Sequence, residues 1–221
     1  MGQLRSFVTK LHSSTRRDYI GRMNDDKTHC MEVAEKFGCQ YWDGDRRYGY
    51  GGYRYIPGRW KFVAEKLIET YGLSNNSRLL DLGCGKGFLL HELQLLLPKL
   101  YIVGLDCSQY GISNSTDLIA KKLSKFDCRR SLEFDDKSFD LIISIGLLHN
   151  FRLQEVFSAL KEIERVGQAS YVMVESYRNN SELHNLQCWA LTAKSFHDVD
   201  EWRWIHEASG FNGDYEFIFF E

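Results

Sequence analysis

Two hydrophobic rhythms alternate along the chain. Trp60, Val63, Ala64, Leu67, Ile68 and Tyr71 recur at i, i+3, i+4, i+7, i+8 and i+11. That spacing lines one face of a helix, and Gly72 supplies its stop. Residues 78–83 (RLLDLG) then read as a buried strand, residues 88–97 (FLLHELQLLL) as a helix closed by Pro98, and residues 101–106 (YIVGLD) as a second strand. A polar helix is predicted through residues 108–123, with a weak strand near Phe126. Residues 139–146 (FDLIISIG) form a strong strand. Leu153, Val156, Phe157, Leu160, Ile163 and Val166 make an amphipathic helix, and residues 170–176 (SYVMVES) the next strand. Each strand is almost wholly apolar and each is followed by a helix. This implies a parallel sheet covered on both faces. Residues 198–211 predict a further helix and residues 214–221 (DYEFIFFE) a last strand. Upstream, residues 15–37 read as helical on the partial stripe Ile20, Met23, Cys30, Val33, Ala34 and Phe37. Asn24-Asp25-Asp26 offers a break into two helices, and Gly38 a stop.

Composition narrows the class. The 221 residues suit one domain with additions, and 43% hydrophobic content is enough for a sizeable core. The formal net charge of −2 speaks against a generic nucleic-acid binder, which carries a basic excess. Six cysteines, none in a CxxC pair, read as buried thiols in a reducing, cytoplasmic compartment. No apolar run approaches the roughly 18 residues of a membrane span. His91 and His184 have no partners at metal-ligand spacing, and no metal is expected.

The sharpest chemistry lies in LLDLGCGKGFLL, residues 79–90. A buried strand delivers Asp81, and Gly83, Gly85 and Gly87 open a helix whose first N–H groups are free. Asp106 ends the next strand, where a carboxylate can bind the two hydroxyls of a ribose. A dinucleotide fingerprint would need a third glycine where Phe88 stands, which argues against a nicotinamide-dependent oxidoreductase. S-adenosylmethionine has a ribose and an adenine but carries an ammonium where a dinucleotide carries phosphates, and Asp81 is positioned to meet it.

D-x-G-x-G-x-G after a strand, an acidic residue ending the next strand, and FDDKSFDLIISIGLLHN at residues 134–150 together resemble the class I S-adenosylmethionine-dependent methyltransferases. The resemblance covers residues 60–176. It implies an α/β fold: a Rossmann-like, mostly parallel sheet with helices on both faces, an antiparallel C-terminal edge strand and an N-terminal helical extension. Residues 1–59 would be that extension and a lid, and residues 60–221 the S-adenosylmethionine-binding domain. The resemblance further implies that Asp81, Gly83, Cys84, Gly85 and Gly87 line the methionine end and that Asp106 holds the ribose. Cys107 or Ser108 would lie beside the adenine, Asp127 or Cys128 near its amine, and Gly146 and Leu147 beside the methyl group.

His149, just past that fourth strand, is the candidate general base; the competing reading is a packed histidine that orients a loop. Glu175, which follows the fifth strand, is a second candidate base, weighed against a structural salt bridge. Residues 40–60 (QYWDGDRRYGYGGYRYIPGRW) hold five tyrosines and four arginines between glycines. Glycines supply hinges, tyrosines flat faces, and arginines forked donors for carboxylate or phosphate. The segment is expected to cover the site, with Tyr48, Tyr50, Tyr53, Arg54, Tyr55 and Arg59, together with Arg178, touching substrate. The expected reaction is O- or N-methylation of a polar, anionic small molecule such as a sugar or nucleotide-sugar. An RNA or protein methyltransferase and a non-catalytic cofactor-binding module are the alternatives.

Overall fold

A computed structural model describes residues 2–221. The N-terminal region carries α1 (Thr9–Ser13), α2 (Tyr19–Asn24), α3 (Lys27–Ala34) and α4 (Cys39–Trp42). The break between α2 and α3 falls in the Asn24-Asp25-Asp26 run, where Asp26 takes a left-handed φ of 37° and its carboxylate accepts the His29 N–H. Gly38 precedes α4 and does not end a helix; Phe37, at φ 46°, makes the turn after α3. Then follow α5 (Lys61–Tyr71), β1 (Arg78–Leu82), α6 (Phe88–Leu96), β2 (Tyr101–Asp106), α7 (Gln109–Ser113) and β3 (Leu123–Lys125). The chain continues through β4 (Phe139–Ile145), α8 (Leu153–Val166), β5 (Gly167–Glu175), α9 (Asn180–Trp189), α10 (Val199–Ser209) and β6 (Asp214–Ile218).

The six strands form one sheet in the order β3-β2-β1-β4-β5-β6. Every pairing is parallel. The expected antiparallel C-terminal edge strand is therefore corrected: β6 runs parallel to β5, with Tyr171 opposite Asp214 and Glu175 opposite Ile218. The reason is the connection. An antiparallel neighbour can be joined by a hairpin, whereas here α10 carries the chain back to the starting end of the sheet before β6 begins.

Two further elements depart from the hydrophobic pattern. The polar helix expected over residues 108–123 stops at Ser113. Asn114 follows, its side chain donating to the Tyr110 carbonyl, and such local bonds compete with helix continuation. Helix α9 was not anticipated, although Asn179 caps it by accepting the Glu182 N–H, the N-x-x-E signature of a helix start.

Alternate strand residues feed two cores, as the two-residue period requires. Leu80, Ile142, Val172 and Val174 pack under α8 and α10 with Val156, Leu160, Ile163, Trp202 and Ile205. Leu79, Leu141, Ile143 and Tyr171 face the other way, against Val63, Ala64 and Leu67 of α5 and Leu90 and Leu93 of α6. Phe7 and Val8 belong to this second core. The N-terminal strap reaches it by bridging Leu4 to Tyr215 on the outer side of β6. Glu216, 1% exposed, anchors the strap. Its carboxylate accepts the N–H groups of Phe7 (2.6 Å), Val8 (3.0 Å) and Thr9 (2.6 Å), the Thr9 hydroxyl and the Tyr171 hydroxyl.

Candidate active site

The strand order reverses between β1 and β4, and in open α/β sheets the crevice at that point is the usual ligand site. The glycine turn leaves β1 there. Gly83, Gly85 and Gly87 have φ of 81°, 57° and 71°, conformations that side chains resist. The Gly83 and Cys84 N–H groups donate to the Leu105 carbonyl at 2.8 and 3.1 Å, holding the turn against the end of β2. A Cβ on Gly83 would come 2.9 Å from Leu147 Cβ, and one on Gly87 2.4 Å from Ile119. Gly87 thus serves the packing of the turn on the following loop, and it does not line the cavity described below.

Asp106 ties the turn to the next loop. One oxygen accepts the Gly85 N–H at 2.8 Å and the other the Ser108 N–H at 2.7 Å. Burial raises its pKa, and these two bonds to the ionised form pull it back. Each oxygen keeps a lone pair for a further donor. Asp81 differs. It is 5% exposed and makes no hydrogen bond or ion pair among the described residues. Burial, and next the charge of Asp106, push its pKa up to about 8.

Residues 40–60 lie over this turn. Trp42 is buried, and a Cβ on Gly85 would meet its ring at 2.8 Å. Its indole N–H donates to Ser108 Oγ at 2.8 Å, and that hydroxyl donates to the Phe37 carbonyl at 2.6 Å. Tyr50 stacks on Trp42, with centroids 5.1 Å apart and planes 2° apart, and Tyr53 bridges Tyr50 to Phe88. Lys86, the last variable residue of the glycine motif, latches the segment: its buried ammonium contacts Asp43 at 2.6 Å and the Tyr53 carbonyl at 2.8 Å. Tyr110 donates to the same Asp43 carboxylate at 2.9 Å.

Beneath the segment is a cavity of about 900 Å³. Asp81, Gly83, Cys84, Gly85, Asp106, Cys107, Asp127, Gly146 and Leu147 all line it, as do Tyr50, Tyr53, Arg54 and Arg59. Asp127 is paired with Arg129 at 2.7 Å, which lowers its pKa. Cys128, the other residue considered for that position, lines the cavity as well. Tyr48, Tyr55 and Arg178 are not brought to it. Tyr48 packs on His29 and beside Cys30, Ala34 and Leu191. Tyr55 donates to the buried Glu92 at 2.9 Å and packs on His91 of α6. Arg178 is held by Glu182 and Glu221 and borders a separate pocket of about 530 Å³ beside the strap.

In the wall of the same cavity the structure pairs His149 with Glu175. Their closest side-chain approach is His149 Nε2 to Glu175 Oε2, 3.6 Å. His149 Nδ1 accepts the backbone N–H of Glu175 at 3.3 Å. In the neutral ring this puts the proton on Nε2, facing the Glu175 carboxylate. The His149 carbonyl in turn accepts the Lys194 and Ser195 N–H groups, and the histidine is 5% exposed. Asn150 accepts the Thr192 hydroxyl at 2.7 Å.

The hydrophobic pattern did not single out Trp42, Lys86, Arg17, Arg22 or Trp189, all of which shape the site. Trp42 and Lys86 sat inside motifs already in view, and an aromatic facing a glycine turn was the available signal. The other three come from α2, its leading loop and α9, and nothing local marks them. Among the described residues no cluster of His, Cys, Asp and Glu could hold a metal ion, all six cysteines are free thiols, and no helix is long and apolar enough to cross a membrane.

Comparison with known proteins matches this architecture. The methyltransferase domain family covers residues 73–213 of the chain. The protein belongs to that family, and its fold is the Rossmann-like one of a class I methyltransferase domain. It is 29% identical over 140 residues to malonyl-(acyl-carrier protein) O-methyltransferase of Legionella pneumophila, covering 59% of this chain and 46% of that protein. It is 26% identical over 145 residues to ubiquinone biosynthesis O-methyltransferase of Rickettsia bellii, covering 63% and 59%. The chain thus spans about half the length of the curated relatives it matches. A S-adenosylmethionine-dependent methyltransferase from Archaeoglobus fulgidus shares the fold, with a TM-score of 0.52, 21% identity and 68% of each chain covered.

Proposed function

We propose that the protein methylates an oxygen or nitrogen of a polar small molecule enclosed beneath residues 40–60. The observation that carries this reading is Asp81: a buried carboxylate without a partner, opening on the same cavity as the His149–Glu175 pair. Such a group calls for a cation, and the ammonium of S-adenosylmethionine answers it. Asp106, with a lone pair free on each oxygen, suits a ribose diol. Cys107 and Asp127 would flank the adenine, and Gly146 and Leu147 the reacting carbon. When bound, S-adenosylmethionine supplies a methyl carbon activated by a sulfonium.

The chain's own residues then have two tasks. Trp42, Tyr50 and Tyr53 exclude water and hold the acceptor against the turn. Glu175 takes the proton leaving the acceptor O–H or N–H. His149 acts as a positioning residue, because its Nδ1 is engaged by the Glu175 N–H and its Nε2 carries the proton that faces the carboxylate. A covered cavity and a net charge of −2 support a small molecule over an RNA strand.

Glu175→Gln is expected to lower turnover by about 10²–10⁴, the usual contribution of general-base catalysis. His149→Gln should lower it less and displace the pH profile. Calorimetry should give unchanged S-adenosylhomocysteine affinity in both. Full turnover in Glu175→Gln would remove the base assignment, and absence of S-adenosylhomocysteine binding to the unaltered protein would remove the function.

A further inference from the structure

Three arginines from the N-terminal region converge on one ring. The guanidinium carbons of Arg17, Arg22 and Arg46 stand 5.6, 4.1 and 4.9 Å from the Trp189 centroid. All four side chains line the cavity. None of the three arginines forms an ion pair among the described residues. Asp25, Glu35 and Glu221 are paired elsewhere, with Arg47, Lys194 and Arg178.

Their N–H groups go to neutral acceptors or to none. Arg22, 9% exposed, gives a single bond, to the Arg46 carbonyl at 2.8 Å. Arg46 donates to the Gly49 and Tyr50 carbonyls at 3.2 and 2.9 Å. Arg17 donates to the Thr15 and His12 carbonyls at 3.0 and 3.3 Å, and its Nε is buried without a partner. Burial lowers the pKa of all three, to about 10 for Arg22, where the charge of Arg46 adds to the effect. Like charges held together and partly desolvated, with no ion pair among them, destabilise the empty protein. An anion entering the cavity relieves that strain. Glu175 lines the same cavity and its charge partly offsets the effect of burial on Arg17.

We propose that Arg17, Arg22 and Arg46, braced on Trp189, form an anion clamp that selects acceptors bearing a phosphoryl group. This rests on the methyl-transfer reading above and adds the charge and chemistry of the acceptor. The choice of phosphoryl over carboxylate follows from charge and geometry. Three guanidiniums, none of them in an ion pair, outnumber the single charge and two oxygens of a carboxylate. A phosphate monoester brings nearly two charges and three acceptor oxygens, and guanidinium forks match it bidentately. Of the four arginines in the glycine-rich segment, Arg46 belongs to this cluster; Arg54 and Arg59 line the cavity without touching the Trp189 ring, and Arg178 lies outside it.

The test uses inorganic phosphate and acetate as probes on the whole chain, at matched ionic strength, read by thermal unfolding and calorimetry. Phosphate is expected to raise Tm saturably and acetate is not. Arg46→Gln and Arg17→Gln should each weaken phosphate binding by about tenfold or more, the loss of one charge-assisted fork. A phosphate response no larger than that of chloride, an equal response to acetate, or unchanged phosphate affinity in both variants would each overturn the clamp. The phosphate and acetate comparison decides even where a variant does not fold. S-adenosylhomocysteine, titrated separately, reports on the methyl-transfer reading alone.

Discussion

At the scale of single residues, Asp81 is the most informative side chain. Its folded pKa of about 8 stands above the ordinary 3.8 because burial and the neighbouring Asp106 disfavour its charge. Between those values the folded protein holds a proton that the unfolded chain has lost. Its contribution to stability is therefore complete at low pH and is lost as pH rises through about 8. Asp81→Asn is expected to flatten the decline of Tm between pH 6 and 9 in the empty protein. A bound ammonium needs the ionised form, so S-adenosylhomocysteine affinity in the unaltered protein should rise with pH below about 8, by up to about tenfold per unit. Asp81→Asn should bind it weakly and without that dependence. An affinity independent of pH in the unaltered protein would contradict the contact. The glycine motif and both aspartates were legible in the sequence, because a strand-turn-helix of twelve residues holds Asp81 and the next strand ends on Asp106. The His149–Glu175 pairing was not: each residue could be singled out alone, but only the β4–β5 register brings 149 beside 175.

At the scale of elements, the hydrophobic pattern located β1, β2, β4, α5, α8 and α10 well, since each strand is apolar on both faces and each helix on one. It failed where polar side chains bond locally, as after Ser113, and where a short helix is held by contacts from elsewhere. Helix α1 is such a case. Its five residues are too few to be stable alone, and its first turn is met by Glu216 of the last strand. Glu216→Ala is expected to leave the buried Phe7 and Val8 N–H groups unpaired and to cost about 2–6 kcal/mol, from a penalty of about 1–3 kcal/mol for each unsatisfied group. Denaturant unfolding measures it. A loss below about 0.5 kcal/mol would mean that the strap contributes nothing to the core.

At the scale of the whole molecule, acid should weaken the fold through two histidines. His206 is fully buried among Trp202, Phe211, Tyr215 and Phe217, and burial lowers its pKa to about 4. Burial, and then the charge of Arg17, lower His12 to about 4. Between pH 6.5 and 4 the unfolded chain takes up protons that the folded protein refuses. Stability present above pH 6.5 is lost as pH falls through that window. His206→Leu, which keeps the volume and removes the titration, should reduce the fall in Tm over that range. A variant as acid-sensitive as the parent would show that His206 is not the cause.

The class of fold, the glycine turn and the two aspartates that flank it were determined by the sequence itself, because they depend on residues close along the chain and on a hydrophobic period that survives in any context. Tertiary structure alone decided the direction of β6, the anchoring of the N-terminal strap on Glu216, the stacking of Trp42 on Gly85, and the gathering of three arginines around Trp189. Each of these joins residues that are far apart in sequence and individually unremarkable. Their meaning lies in burial and in missing counter-charges, and those exist only once the chain has closed on itself.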